Sequence, residues 1–285
     1  MTEQSEGVIR STPGQFGCTH SHAGLDLNQG PVAKTWRDND ITGPFLREEG
    51  IEMASSLDRD QLKREAAESA VAQVQDGMIV GLGTGSTAWF AVEAVGRRVA
   101  EGLRIVGIAT SEHTQEHARS WGIPMSTLAE NPRIDLTIDG ADEVELGALD
   151  LIKGGGGALL REKIVASSSA RLVIIVDEAK LVEHLGAFPV PVEVVPFGWQ
   201  VTARRVAELG GNPTLRSGSD GKPYVTDGGH YILDCRFGPI ASPRRLDGEL
   251  NAVVGVVEHG LFIGMASQVI VAGAGGVRVL GRNDE

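Results

Sequence analysis

The segment Met78–Ala88, with the sequence MIVGLGTGSTA, joins a short apolar run to a helical pattern through a glycine-rich turn. The residues up to Leu82 are typical of a buried strand, and a helix is predicted to start directly after the turn. Similar runs recur further along the chain, at 104–110, 134–138 and 172–176, and helical patterns separate them. Strands that alternate with helices form a parallel sheet that is covered on both faces. The sequence therefore predicts an α/β fold.

A second pattern begins after Pro189. Short strands and helices there follow the order β-α-β-β-α-β, which is typical of a small split-βαβ domain. The tail then returns to short apolar strands, which we expect to rejoin the first sheet. The middle segment is therefore predicted to be an insertion. The predicted domains are 53–186 together with 260–285, and 187–259.

Residues 1–52 show neither a helical nor a strand period and mix Gly, Pro, Asn, Asp, Ser and His. They are predicted to be a disordered or loosely attached extension, since the first well-patterned segment opens at Met53. Cys18, His20 and His22 could in principle bind a metal ion, but nothing nearby in the sequence completes a site.

The composition argues against several classes of protein. The chain of 285 residues carries a net charge of −12, which disfavours wholesale binding to nucleic acid or to an anionic membrane. Its two cysteines, Cys18 and Cys235, are far apart, so no disulfide framework is predicted. No apolar run approaches the ~18 residues of a membrane span, and the N-terminus lacks the order of a signal peptide. We therefore expect a cytoplasmic protein with a local basic site for any anionic substrate.

The glycine-rich turn after the first strand is a candidate phosphate site. Three hydroxyl groups, from Thr84, Ser86 and Thr87, join free backbone N–H groups at the start of a helix, with Gly85 between them. The segment 83–88 also satisfies the looser dinucleotide fingerprint, but the second strand does not end in the acidic residue that a ribose hydroxyl requires. A phosphate of a small molecule, a dinucleotide and a purely structural turn remain the alternatives.

A second glycine-rich stretch, KGGGGALLREK at Lys153–Lys163, is the candidate centre of the chemistry. Four consecutive glycines indicate that the backbone comes very close to something. A glycine loop that opens a helix offers N–H groups and the positive end of the helix dipole to an oxyanion. Glu162, in the first turn of the predicted helix, can accept a proton, and Lys153 supplies a cation. The alternative is a flexible linker before an ordinary helix.

Two further acidic residues, Asp139 and Asp142, follow a predicted strand. Ligands of open α/β sheets bind outside the carboxyl ends of the strands, so these two acids are candidates for moving protons between sugar oxygens. The alternative is a turn in which the aspartates cap the next segment. The segment His113–His117 matches the metalloprotease pattern H-x-x-E-H but lacks a recognisable third ligand, and we interpret it as a solvent-facing polar helix.

Taken in order, the motifs GTGST at 83–87, DGADE at 139–143 and the stretch Lys153–Lys163 resemble those of ribose-5-phosphate isomerase, type A. The similarity runs from about Leu57 to the C-terminus. The resemblance implies a Rossmann-like parallel sheet domain with an inserted ferredoxin-like α+β domain, assembled as a homodimer or homotetramer, with no cofactor and no metal. The implied activity is an aldose–ketose isomerisation between D-ribose 5-phosphate and D-ribulose 5-phosphate through an enediolate, in the non-oxidative pentose phosphate pathway.

The resemblance also implies roles for individual residues. Glu162 matches the base that carries the proton between C2 and C1, and Lys153, Asp139 and Asp142 match the polar active-site set. The residues expected to contact the substrate or its phosphate are Thr84, Gly85, Ser86, Thr87, Lys63, Lys180, Gly154, Gly155 and Gly156.

Two rival functions fit the same fold. A sugar-phosphate sensor would keep the glycine-rich turn at 83–87 as its phosphate loop but would not need a base such as Glu162, and it normally carries a DNA-binding segment. A related sugar-phosphate enzyme would differ in its substrate. Formation of ribulose 5-phosphate from ribose 5-phosphate in the presence of a chelator separates these hypotheses.

Overall fold

The computed structural model describes residues 59–281, so the predicted extension and its candidate metal ligands lie outside the described residues. The helices are α1 (residues 59–71), α2 (Ser86–Ala100), α3 (Glu112–Ser120), α4 (Leu159–Ser167), α5 (Trp199–Glu208) and α6 (Pro243–Asn251). The strands are β1 (Ile79–Leu82), β2 (Val106–Ala109), β3 (Leu136–Asp139), β4 (Glu143–Glu145), β5 (Leu151–Ile152), β6 (Leu172–Asp177), β7 (Leu181–Val182), β8 (Val190–Val194), β9 (Asn212–Leu215), β10 (Tyr231–Arg236), β11 (Val256–His259), β12 (Leu261–Phe262), β13 (Gln268–Gly273) and β14 (Gly276–Gly281). No helix within 59–281 is long and apolar enough to cross a membrane.

The largest sheet has six strands in the order β14-β13-β6-β3-β1-β2. Neighbouring strands from β13 to β2 run parallel, whereas β14 pairs antiparallel with β13 as a hairpin edge. The predicted α/β fold with a parallel sheet is therefore confirmed, and the tail rejoins this sheet as expected.

The β6 strand explains why the sheet is covered on both faces. Val173 and Ile175 pack in the cluster that contains the apolar faces of α1 and α2. Ile174 and Val176 pack in another cluster, together with residues of β4, β5 and β12. Successive side chains of a strand point to opposite faces, so a strand buried on both faces is apolar throughout.

A second sheet, of four strands in the order β11-β8-β10-β9, is antiparallel throughout. With α5 and α6 it follows the predicted order β-α-β-β-α-β, and the ferredoxin-like fold is confirmed. We propose that the two sheets mark the domains predicted from the sequence, 53–186 with 260–285 and 187–259. A third sheet, β12-β5-β4-β7, was not predicted, because strands of two or three residues show no period.

The order of the large sheet brings two candidate loops together. Strands β1 and β3 are neighbours, but the chain leaves β1 towards β2 on one side and leaves β3 towards β6 on the other, which opens a crevice at their carboxyl ends. The loops after β1 and β3 contact each other there: the N–H of Gly83 donates to the carbonyl of Ile138 at 2.9 Å, and the N–H of Thr84 donates to Oδ1 of Asp139 at 3.2 Å. The fold thus places the phosphate loop beside the predicted acids.

This close approach makes Gly83 sensitive to substitution. A Cβ atom on Gly83 would lie 2.2 Å from Oδ1 and 2.6 Å from Cα of Asp139. Gly83→Ala is therefore expected to cost about 1–3 kcal/mol of unfolding free energy through overpacking, and to displace Asp139. Urea unfolding measures the cost. Gly248→Ala in α6 is the control, because its added Cβ meets nothing within 4 Å and it should unfold at the same or a higher urea concentration. Equal urea midpoints for Gly83→Ala and Gly248→Ala would contradict the close approach of Gly83 to Asp139.

Candidate active site

A cavity of about 90 Å³ opens at the crevice of the large sheet. The loop after β1, the loop after β3 and the glycine stretch before α4 form its walls. The lining residues are Thr84, Gly85, Ser86, Thr87, Gly140, Ala141, Asp142, Lys153, Gly154, Gly155, Gly156, Glu162 and Lys180. Of the residues predicted for the site, all but Asp139 and Lys63 therefore line this cavity.

Lys153 lies at the centre of this cleft, with its side chain only 3% exposed. Its Nζ is 3.0 Å from Oδ2 of Asp139 and 3.1 Å from Oε1 of Glu162, and it donates to the carbonyl of Gly140 at 2.7 Å. An ammonium group has three donors, so each of them has a partner. Lys153 therefore has no free N–H donor for a molecule bound in the cleft, and its influence on such a molecule is through its positive charge.

Glu162 occupies the first turn of α4, where the preceding glycines bring the chain over the cleft. The neighbouring Leu159 is fully buried and anchors the start of this helix. The N–H of Glu162 donates to the carbonyl of Ala158 at 2.9 Å, so the residue is already within the helical hydrogen-bond pattern. Oε1 pairs with Lys153, whereas Oε2 is buried and has no hydrogen-bond partner among residues 59–281. That second oxygen is available to accept a proton.

The buried charges around Lys153 alter one another's pKa. Burial raises the pKa of Glu162 to about 8 despite the attraction of Lys153, and the carboxylate of Asp139 adds to the rise. Burial also raises the pKa of Asp139, although Lys153 opposes the shift. Burial alone would lower the pKa of Lys153, but the two carboxylates hold it above its usual range. Two carboxyl groups therefore share one charged lysine, and together they retain a proton near neutral pH.

The two predicted aspartates have different surroundings. Asp139 is 1% exposed, and its oxygens accept from the N–H groups of Gly140 and Thr84 and pair with Lys153. It therefore joins the two loops and orients the lysine. Asp142 lines the cleft, and its Oδ2 accepts from the N–H of Gly155 at 2.8 Å. Of the two, Asp142 is the one that faces the cavity.

The loop after β1 forms the opposite wall, at the N-terminus of α2. The first α-helical bond of α2 runs from the N–H of Trp89 to the carbonyl of Gly85 at 2.9 Å, so the preceding N–H groups have no acceptor within the helix. No side chain caps this helix end. Lys180, at the end of a short 3₁₀ segment after β6, lines the same cleft. Free N–H groups, the hydroxyls of Ser86 and Thr87 and this lysine together suit a phosphate.

The hydroxyl of Thr84 has a role that the sequence did not indicate. Its Oγ1 lies 2.7 Å from Oγ1 of Thr110, 2.9 Å from Oγ of Ser111 and 3.0 Å from Oγ1 of Thr114. These four hydroxyl groups form a half-buried cluster that ties the phosphate loop to the loop after β2 and to the first turn of α3. The only sequence signal for this cluster is the polar run Thr110–Ser111 after the second strand.

Lys63 does not line this cleft, although Asp60, its ion-pair partner, lines the neighbouring cavity together with Gly85 and Ser86. It belongs to α1, where its Nζ is 3.3 Å from Oδ1 of Asp60, and it does not contribute to the described wall of the cleft. Its contact with a phosphate stays a prediction.

A second cavity, of about 450 Å³, lies beside the phosphate loop and is lined in part by Trp89, His113 and His117. The two imidazole rings stack on Trp89, with centroids 5.3 and 3.3 Å from the indole. The expectation of a solvent-facing helix is wrong for His117, because packing against Trp89 buries it, and this burial lowers its pKa. In the described range, no three His, Cys, Asp or Glu side chains are grouped to hold a metal ion. Glu162 and Lys153 line the smaller cleft and not this cavity.

Known proteins share both the sequence and the fold. The family model of ribose 5-phosphate isomerase A (phosphoriboisomerase A) matches residues 106–276. Ribose-5-phosphate isomerase A of Synechococcus sp. (strain JA-3-3Ab) is 60% identical over 223 residues, which cover 78% of this chain and 97% of the relative. The solved structure of ribose 5-phosphate isomerase A from Methanocaldococcus jannaschii is 42% identical with a TM-score of 0.75, and the match covers 78% of this chain and 99% of that one.

A second solved structure is a D-ribose-5-phosphate isomerase in complex with phospho-erythronic acid. It is 37% identical with a TM-score of 0.76, and the match covers 79% of this chain and 99% of that one. The resemblance inferred from the three motifs is therefore confirmed. Since the family model spans more than half of the chain and the 60%-identical relative more than two thirds of it, the chain belongs to the ribose 5-phosphate isomerase A family.

Proposed function

We propose that the cleft between Glu162 and the phosphate loop is the site at which this chain interconverts D-ribose 5-phosphate and D-ribulose 5-phosphate. The observation that carries the proposal is Oε2 of Glu162, a buried carboxyl oxygen without a partner among residues 59–281, on a side chain that lines the cleft. An aldose–ketose isomerisation needs such a base over the carbon atom, and charge stabilisation at the neighbouring oxygen.

The proposed chemical step is a proton transfer through an enediolate. Oε2 of Glu162 removes the proton from C2 of the open-chain aldose, the C–H electrons form the C1–C2 double bond, and O1 becomes an oxyanion. Glu162 returns the proton to C1 while a proton moves from O2 to O1, which leaves a carbonyl at C2. A carboxyl group with a pKa near 8 is well matched to this transfer near neutral pH.

Two groups support the developing negative charge. Lys153 stays protonated and acts by its charge at short range in a buried site, where electrostatic interactions are stronger than in water. The glycine stretch contributes backbone N–H groups, of which that of Gly156 has no hydrogen-bond partner within the described residues. These features are what an oxyanion at O1 or O2 requires.

The two aspartates are proposed to divide the remaining work. Asp142 lines the cleft and is placed to move protons between the sugar oxygens and to open the ring. Asp139, whose carboxylate pairs with Lys153 and accepts from the N–H groups of Thr84 and Gly140, is proposed to hold the lysine and not to exchange protons with the substrate.

The phosphate is proposed to bind at the opposite end of the cleft, at the N-terminus of α2 with Ser86, Thr87 and Lys180. A solved relative is a complex with phospho-erythronic acid, a ligand that carries both a phosphate and a carboxylate. A carboxylate beside Lys153 would imitate the oxyanion of the enediolate.

Two broader expectations are retained as proposals. By analogy with the family, the chain is proposed to assemble as a homodimer or homotetramer. By the same analogy, a location in the cytoplasm is proposed.

Incubation of the purified full chain with ribose 5-phosphate and EDTA tests the proposed reaction. Ribulose 5-phosphate should form at the same rate with and without the chelator, and NMR identifies the product. A chain that binds ribose 5-phosphate but forms no ketose would support the sensor hypothesis and overturn this proposal.

The pH dependence of the reaction follows from the raised pKa of Glu162. The base is active only when it is deprotonated, so kcat/KM should rise with pH, by about tenfold per unit below the inflection, and level off above about pH 8. The inflection belongs to the coupled Asp139–Glu162 pair. Steady-state kinetics at constant ionic strength measure the profile, and circular dichroism controls for folding. A flat profile between about pH 6 and about pH 9 would contradict the raised pKa.

A further inference from the structure

The glycine stretch of the cleft is held by an arginine from the antiparallel sheet. Arg216 follows β9, and its Nη1 donates to the carbonyl of Gly154 at 3.0 Å and to the carbonyl of Gly155 at 3.1 Å. The rest of its guanidinium is paired with Asp234 of β10, through Nε at 2.9 Å and through Nη2. The Arg216 side chain is 15% exposed, so this pair is largely shielded from water.

The two carbonyl contacts fix the direction of the N–H groups on the same peptide units. In a trans peptide the C=O and N–H bonds point in opposite directions. When Arg216 holds the carbonyl of Gly154, the N–H of Gly155 points away from it, and this N–H donates to Asp142 at 2.8 Å. The next unit follows the same rule: Arg216 holds the carbonyl of Gly155, and the N–H of Gly156 points the opposite way.

Gly156 faces the cleft. It lines the cavity, and a Cβ atom built on it would lie 3.7 Å from Cγ2 of Thr84 on the opposite wall. Its N–H has no hydrogen-bond partner within the described residues. A cation on the carbonyl side of a peptide also polarises the unit and strengthens its N–H as a donor.

We propose that Arg216, anchored by Asp234, is a positioning residue that aims the N–H groups of Gly155 and Gly156, the first at Asp142 and the second at the oxyanion of the enediolate. The inference rests on the proposed function, because it assigns a role within the same reaction. It gives the antiparallel sheet a part in catalysis, because Arg216, directly after β9, and Asp234, in β10, order the glycine stretch that lines the cleft of the large sheet. A glycine-rich segment needs such a restraint, since glycine has the greatest conformational freedom.

The test compares Arg216→Met, Arg216→Lys and Asp234→Asn with the wild-type chain. The matched control is Arg205→Met, which removes an arginine from an exposed ion pair with Glu208 on α5. For each protein, kcat and KM are measured with ribose 5-phosphate, and dissociation constants are measured for inorganic phosphate and for phospho-erythronic acid. Thermal unfolding identifies variants that do not fold.

Arg216→Met should lower kcat roughly 10- to 100-fold, since misaligned donors lose transition-state stabilisation, and should change KM by less than about threefold. Binding of phospho-erythronic acid should weaken, while that of inorganic phosphate should not change, because the phosphate loop lies on the other wall. Arg216→Lys and Asp234→Asn should lose less, since lysine keeps a charge without the fork geometry and asparagine keeps part of the anchor. Arg205→Met should match the wild type.

Three results would overturn the assignment. The first is a folded Arg216→Met variant with a kcat within about twofold of the wild type. The second is an equal loss of affinity for inorganic phosphate and phospho-erythronic acid, which would indicate a general loosening of the cleft. The third applies if Arg216→Met does not fold: unchanged kcat in both Arg216→Lys and Asp234→Asn. If the wild-type chain itself forms no ribulose 5-phosphate, the proposed function fails instead.

Discussion

Glu162→Gln is expected to lower kcat by roughly 10²- to 10⁴-fold, the usual contribution of a positioned general base. The substitution keeps the shape of the side chain and an oxygen that can accept from Lys153, but it removes the group that takes the proton from C2. Binding of inorganic phosphate and of phospho-erythronic acid should persist, because the phosphate loop is unchanged. Coupled kinetic assays measure kcat, and calorimetry measures the two affinities.

The same variant should be more stable than the wild type. Since burial raises the pKa of Glu162 from its ordinary 4.5 to about 8, the stability associated with this group is fully present below pH 4.5 and is lost as the pH rises through about 8. A glutamine does not ionise and leaves Lys153 and Asp139 as a balanced pair. The gain in unfolding free energy should therefore grow with pH, on the order of a few kcal/mol above the inflection.

Glu208→Gln provides the matched control for Glu162→Gln, because Glu208 is 61% exposed and pairs with Arg205 on the surface of α5. It should change neither kcat nor stability, since exposed ion pairs contribute little. Near-normal turnover in Glu162→Gln, or a loss of phosphate binding equal to the loss of kcat, would contradict the assigned role of the base.

Lys153→Met is expected to reduce both activity and stability. Without the ammonium group, two buried carboxyl groups face each other with no cation, and breaking a buried pair typically costs about 3–5 kcal/mol. This cost should be larger at alkaline than at acid pH, because both carboxyl groups can stay protonated in acid. The lost charge should also lower kcat by roughly 10²- to 10³-fold. Urea unfolding at several pH values and steady-state kinetics measure the two effects.

Lys222→Met is the control for the lysine. Lys222 also pairs with an aspartate, Asp220, at 3.4 Å, but its side chain is 80% exposed. The Lys222→Met substitution should leave kcat and the urea midpoint close to those of the wild type. A Lys153→Met variant that loses substrate affinity alone, at unchanged kcat, would assign this lysine to substrate binding.

Local sequence patterns were sufficient for the large sheet and the three active-site loops. The apolar run of β6 predicts a strand buried on both faces, and Val173 and Ile174 do pack in different clusters. The glycines at 83–87 lie beside hydroxyl groups, and those at 154–157 lie between Lys153 and Glu162. Both patterns predict a loop at the start of a helix, and a parallel sheet brings such loops to the same edge. Residues close to these motifs were therefore found in one cleft.

Features that depend on distant contacts were not predictable from the sequence. Nothing near Arg216 indicates that its guanidinium reaches the carbonyls of Gly154 and Gly155, 62 and 61 residues away. The hydroxyl cluster around Thr84 arises only when the loop between β2 and α3 packs beside it. The different surroundings of Asp139 and Asp142 likewise depend on which N–H groups and which cation the fold brings to each carboxylate. Both residues lie in the same short motif, so the sequence alone does not distinguish them.

The most direct test of the central claim follows the proton itself. Ribose 5-phosphate labelled with deuterium at C2 is incubated with the wild-type chain and with Glu162→Gln, and NMR follows the label. The wild-type chain should move deuterium from C2 to C1 or to water, with a primary isotope effect on kcat, while the variant should leave it at C2 over the same period. Release of the label by Glu162→Gln at the wild-type rate would show that another group moves the proton and would contradict the account.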